Sequence, residues 1–113
     1  MKLTAKLTEA AFTRQVLEFA RLHGWRSAHF RPGRTNRGWR TAVSGDGVGF
    51  PDLILVRRGV LVVAELKVGD NTLSVEQGEW LRAFENCPPP VQAFVWFPDD
   101  WPEIERVLGG NHV

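Results

Sequence analysis

The chain has one cysteine, Cys87, among its 113 residues. A single thiol excludes an internal disulfide, and with it the disulfide-stapled class of small secreted folds. It suits a reducing compartment. No apolar run approaches the roughly 20 residues that a membrane-spanning helix needs, so no membrane association is expected. The opening stretch, MKLTAKLTEAAF, lacks the apolar segment of about 7–15 residues that marks a secretory signal. These absences lead to the expectation of a soluble, cytoplasmic protein. Internal repeats and low-complexity tracts are missing too. So are a glycine-rich phosphate loop and a Ser-His-Asp pattern, and neither Cys87 nor His23 has companions at metal-ligand spacing.

What is present suffices for one folded unit, residues 1–113. Apolar residues make up 43% of the chain, enough for a core without disulfides or a structural metal. The net charge of +1 conceals a polarity: residues 1–67 hold twelve Lys/Arg against five Asp/Glu, whereas residues 68–113 hold two against eight. A basic half suits an anionic partner; a solvated surface with an uneven split is the alternative.

Thr8 can cap a helix running to Gly24, with Phe12, Val16, Phe19 and Ala20 on one face. Residues 25–30 suit a short strand. Residues 31–49 contain Pro32 and glycines 33, 38, 45, 47 and 49, which predicts a long loop or distorted hairpin. Strands follow at about 53–57 and 60–68, joined at Arg58-Gly59. The second is apolar at odd and even positions alike, as in a strand covered on both faces. Ser74 and Gln77 have capping-box spacing and open a helix to about Glu85, ended by Pro88, Pro89 and Pro90. VQAFVWF (91–97) is a further strand, and Asp99 or Asp100 can cap a last helix that tolerates Pro102 in its first turn. The expected order is αβββαβα, an α/β fold with a mixed β-sheet flanked by helices.

Within this pattern, polar residues fall where apolar ones belong. Glu65 and Lys67 continue the strand face of Leu61 and Val63. Asp52 opens the neighbouring strand, so a hairpin can set it beside Glu65. Two adjacent carboxylates repel, which raises a pKa; a hard divalent cation such as Mg²⁺ or Mn²⁺ removes the conflict. Stepping 100° per residue places Glu9 on the inward stripe with Val16 and Ala20. Gln77 shares a face with Trp80, Leu81 and Phe84. Each position also has a plainer reading: Glu9 as a favourable charge at a helix start, Gln77 as a capping residue, Glu65–Lys67 as a half-buried ion pair, Asp52 as a turn residue. Their joint occurrence favours convergence on one site.

Pro51-Asp52, twelve intervening residues and Glu65-Leu66-Lys67 resemble the PD-(D/E)xK nuclease signature. With Glu9, Gly24-Trp25, Gly49-Phe50, Ser74, Gln77, Trp80-Leu81, Pro98 and Trp101, the chain over about residues 8–108 is similar to the VRR-NUC family, the virus-type replication-repair nucleases. The resemblance implies a restriction-endonuclease-like core and Mg²⁺- or Mn²⁺-dependent hydrolysis of DNA phosphodiesters in a bacterial or phage-infected cell. Asp52, Glu65 and the Leu66 backbone carbonyl would bind metal, and Glu9 a second metal or its waters. Lys67 would orient or deprotonate the attacking water, and Gln77 would position Lys67 or that water. It further implies a Holliday-junction-resolvase-like endonuclease acting on branched DNA as a homodimer. A flap or nicking nuclease, or a non-catalytic nucleic-acid-binding module, are the alternatives.

The stretch RPGRTNRGWR carries Arg31, Arg34, Arg37 and Arg40 at every third position, with Trp39 among them. It matches no motif. Its chemistry suits phosphate contact and base stacking, with a merely solvated loop as the alternative. His29 is either near the site or structural. The aromatics Phe94, Trp96, Phe97 and Trp101 are candidates for the dimer contact, and Trp80 for the core.

Overall fold

The computed structural model describes residues 7–30 and 45–110, with the backbone of two short strands, Gly33–Thr35 and Gly38–Arg40, between them. Helix α1 spans Glu9–Leu22. The Thr8 hydroxyl accepts from the Ala11 amide at 3.0 Å, satisfying a donor that the first turn leaves free. At the other end Gly24 takes a left-handed φ of +83°. The Trp25 amide then reaches back to the Ala20 carbonyl and the Gly24 amide to Arg21, a Schellman closure that turns the chain into strand β1, Arg26–His29.

Strands β2 (Gly33–Thr35) and β3 (Gly38–Arg40) form a separate hairpin, with Arg34 opposite Trp39. Of the long loop or distorted hairpin expected over residues 31–49, these strands form a hairpin. Arg31 and Arg37 lie outside the described residues, as do the side chains of Arg34, Trp39 and Arg40.

Strand β4 (Leu53–Arg57) and strand β5 (Val60–Leu66) pair antiparallel around Arg58-Gly59, both residues having positive φ. This is the tight turn whose twist matches that of its strands. Helix α2 (Val75–Glu85) carries the chain to strand β6 (Val91–Trp96), which pairs parallel with β5. A 3-10 turn at Pro98–Asp100 leads into helix α3, Trp101–Gly109. Asp100 precedes α3 as expected of a cap, but its carboxylate turns back to the Phe97 amide at 2.8 Å. The result is an α/β fold: a four-stranded mixed open sheet, order β1-β4-β5-β6, with three helices among the described residues.

Leu53, Leu55, Val62, Ala64 and Leu66 point to one face of the sheet and are buried with Phe12, Val16 and Ala20 of α1 and Ile104, Val107 and Leu108 of α3. The other face carries Val63 and Glu65 and is covered more thinly. There α2 buries only Leu81 fully, supported by a row of aromatic edges: Phe50 on Phe30, Trp80 and Phe84, with ring centroids 5.5, 4.9 and 6.0 Å apart. Trp80 is thus half-buried in this second cluster. Trp96, expected as interface material, is wholly buried and donates to Glu103 at 2.9 Å, with Phe94 stacked on it at 4.8 Å. Trp101 packs edge-on against Phe19 at 5.5 Å. Phe94 and Trp101 pack against the core that contains Trp96, so these aromatics serve the fold.

At the end of β4 away from Asp52, Arg57 spans two helix ends. Its guanidinium donates to the carbonyls of His23 at 2.9 Å, Leu108 at 3.3 Å and Gly110 at 2.8 Å. It also lies 4.6 Å over the Trp25 ring, whose own N–H bonds Leu108. The cation thus meets the negative ends of α1 and α3 together. No helix among the described residues is long and apolar enough to cross a membrane.

Candidate functional site

The β4–β5 register decides the geometry of the site. Leu53 pairs with Ala64, so one step further Asp52 stands opposite Glu65, and directly opposed residues share a face. Regular pairing stops there. The Asp52 carboxylate takes over the ladder's role and accepts the Leu66 amide at 3.0 Å. Pro51, wholly buried, anchors the approach. Asp52 is therefore fixed by the backbone of the strand that carries Glu65 and leads into Lys67.

Glu65 is 2% exposed. Its Oε2 accepts from the Gln77 side-chain amide at 3.0 Å and lies 3.7 Å from Lys67 Nζ. Its Oε1 is buried with no hydrogen-bond partner. A buried carboxylate oxygen left in this way is costly. Burial pushes the Glu65 carboxyl up to about 8, and the neighbouring Asp52 adds to the rise through charge and a shared hydrogen bond. Lys67 opposes the shift, and the charge of Glu9 adds a smaller increment. With both carboxyls ionised neither can donate; one proton, or one cation, resolves the conflict.

Gln77 is a capping residue whose side chain also reaches Glu65. Its Oε1 accepts the Ser74 amide at 2.8 Å while the Ser74 hydroxyl accepts the Gln77 amide at 3.1 Å, completing the capping box. Its Nε2 is left for Glu65. Because the cap fixes the amide's orientation, the nitrogen faces the carboxylate. The residue expected to position Lys67 or a water thus holds Glu65 directly.

Glu9 departs from expectation. It sits on the exposed first turn of α1, and the inward stripe begins at Phe12 and Thr13. Helical stepping places it near the edge of the stripe, and at a helix start such a position opens to solvent. Glu9 acts on Glu65 through charge alone. Asp52, Glu65, Lys67 and Gln77 are brought together; Glu9 is nearby but apart from them. His29 is the register partner of Leu53, next to Asp52, and is half-buried. Sequence reasoning missed a role for Arg57, whose partners His23, Leu108 and Gly110 lie far away along the chain.

Among the described residues, no three His, Cys, Asp or Glu side chains form a ready-made metal cage. A Mg²⁺-type ion does not require one, since it takes one or two carboxylates and keeps several waters. The donor set of Asp52 and Glu65, with an unpartnered buried carboxylate oxygen, fits such an ion. A cleft of about 550 Å³ between the 45–48 segment and α2 is lined by Asp46, Glu76, Glu79 and Trp80. Its acidic wall disfavours phosphate.

No protein-family model matches the chain, and no curated protein is significantly similar to it.

Proposed function

We propose that this protein is a divalent-metal-dependent endonuclease of the PD-(D/E)xK type, hydrolysing DNA phosphodiester bonds. The observation that carries the reading is the buried Glu65 carboxylate, with Oε1 unpartnered beside Asp52 near the end of a central strand. Asp52 and Glu65, with the Leu66 carbonyl as a third donor, would hold Mg²⁺ or Mn²⁺. The ion's chemistry there would be to polarise a phosphate oxygen and acidify a bound water.

The chain's own groups divide the remaining work. Lys67 offers a half-buried ammonium beside Glu65, placed to donate to a phosphate oxygen as negative charge develops. Gln77 locks the Glu65 rotamer with a neutral donor, which adds no charge to the site. Asp52, bonded to the Leu66 amide, keeps its orientation whichever ion is present. The basic segment 31–40, which follows the strand ending at His29, supplies phosphate affinity.

The reading of DNA as substrate rests on the resemblance and on this basic segment, and branched DNA with a homodimer is its finer form. A panel of junction, flap, splayed and linear DNAs with Mg²⁺ or Mn²⁺ tests it. Metal-dependent cleavage that disappears in Asp52→Asn, with DNA binding kept, is the expected result. Absence of cleavage from every substrate, with binding intact, would leave a non-catalytic nucleic-acid-binding module.

A further inference from the structure

Gly49 has a backbone φ of +82°, and a methyl group at its Cβ position would lie 2.6 Å from both the carbonyl carbon and Cβ of Glu76 and 2.7 Å from the Gln77 amide nitrogen. Two of these three atoms are helix backbone, so the neighbour cannot simply rotate away. Ordinary carbon contacts begin near 3.5 Å, so any side chain at position 49 must separate the two segments by about 1 Å. One of them is the first turn of α2, which carries Gln77. The other runs through Phe50 and Pro51 into Asp52.

We infer that Gly49 is a positioning residue for the site: its missing side chain sets the spacing between the Asp52 segment and the α2 turn, and so holds the Gln77 amide on Glu65. The inference rests on the proposed function for its consequence in cleavage, but its geometry is independent of it. The Gln77–Glu65 bond is 3.0 Å long; a 1 Å retreat exceeds the range of a hydrogen bond. Glu65 would then keep neither of its oxygens on a neutral donor. Displacements of this size at a catalytic centre cost on the order of 10–100-fold in rate.

The chain contains its own control. Gly59 has nearly the same φ, +79°, and a methyl group there would meet nothing within 4 Å. Gly59→Ala carries the left-handed strain without the collision. The test compares Gly49→Ala, Gly59→Ala, Gln77→Ala and the Gly49→Ala/Gln77→Ala pair, each confirmed folded by circular dichroism. Two quantities are read: the Mg²⁺-dependent cleavage rate, and the Gln77 side-chain amide signals in ¹⁵N–¹H spectra. Gly59→Ala should keep the wild-type rate and signals. Gly49→Ala should lose about 10–100-fold in rate and shift the Gln77 amide signals. The pair should be no slower than Gln77→Ala alone, because the positioning has nothing left to position.

A Gly49→Ala protein matching Gly59→Ala in rate and spectrum overturns the inference, and so does a fully multiplicative loss in the pair. If the wild type cleaves no DNA, the proposed activity fails while the Gln77 signals still decide the role of Gly49. Gly49→Asn, better suited to positive φ, presents the same Cβ. Failure of both Gly49 variants to fold, with Gly59→Ala folding, would make Gly49 a framework residue and refute the positioning role.

Discussion

Replacing Glu65 with glutamine removes a titratable carboxyl and almost no volume from the driest part of the site. The metal-free protein should become more stable at neutral pH as a result. In the wild type the folded chain holds the Glu65 proton up to about pH 8, whereas an unfolded chain releases it near 4.5, the ordinary value. A group whose pKa is raised by folding stabilises the fold fully below the unfolded value. That stability drains away as pH climbs toward the folded value. The loss is up to about 1.4 kcal/mol per pH unit, so about 3 kcal/mol is gone by pH 7. Against a total of about 5–15 kcal/mol for a small domain, this is large. Glutamine cannot titrate; its oxygen can face Gln77 while its own amide donates toward Asp52, filling the unpartnered Oε1 position. Urea unfolding in EDTA, from pH 4.5 to 8, checks the claim. The wild-type curve should fall relative to Glu65→Gln by about 3 kcal/mol by pH 7, and Mg²⁺ should restore much of the difference by binding the folded state. Parallel pH profiles for the two proteins would refute the buried-charge argument.

Asp52→Asn should abolish cleavage while retaining DNA affinity, as read by product formation and gel mobility on the same substrate. Arg34→Ala with Arg37→Ala should weaken binding to all DNA sequences and flatten the slope of log affinity against log salt by roughly two phosphate contacts; fluorescence anisotropy across a salt series measures it. Arg57→Ala should cost about 3 kcal/mol in thermal or urea unfolding, since it strips charged donors from three carbonyls. Arg57→Lys should recover only part, because an ammonium lacks the fork that spans both helix ends. Light scattering at micromolar concentration should give about twice 12.8 kDa; a monomer mass with and without junction DNA would remove the junction-resolvase form of the proposal.

The strands and helices were legible because their signals were redundant. Thr8 and Gly24 bracket α1, Ser74 and Gln77 open α2, and the two-faced apolar run of β5 marks a central strand. The pairing of Asp52 with Glu65 followed from the Arg58-Gly59 turn, which fixes the register. Less was legible where position depends on a partner far along the chain. Glu9 steps onto an apolar stripe by angle, but the stripe's solvent boundary is set by what packs on it. Trp96 reads as a surplus aromatic until α3 covers it and Glu103 takes its N–H. The close approach of Gly49 to α2 left no periodicity to read, only a glycine among several. Arg57 drew no reading from the sequence, because nothing local says that two helices end beside it.

The Arg57 clamp and the Asp52–Glu65 pair occupy opposite ends of one five-residue strand, about 17 Å apart at the usual rise per residue. Perturbations that far apart, sharing no partner, combine additively. The hairpin therefore has a tethered end and a carboxylate end that can be altered separately. Changes at the carboxylates leave the tether between the two helices intact. Conversely, strengthening the tethered end supplies a margin within which costly site variants still fold. Libraries aimed at new activities in this chain should vary residues around positions 52, 65, 67 and 77 and keep Arg57 and Trp25 fixed.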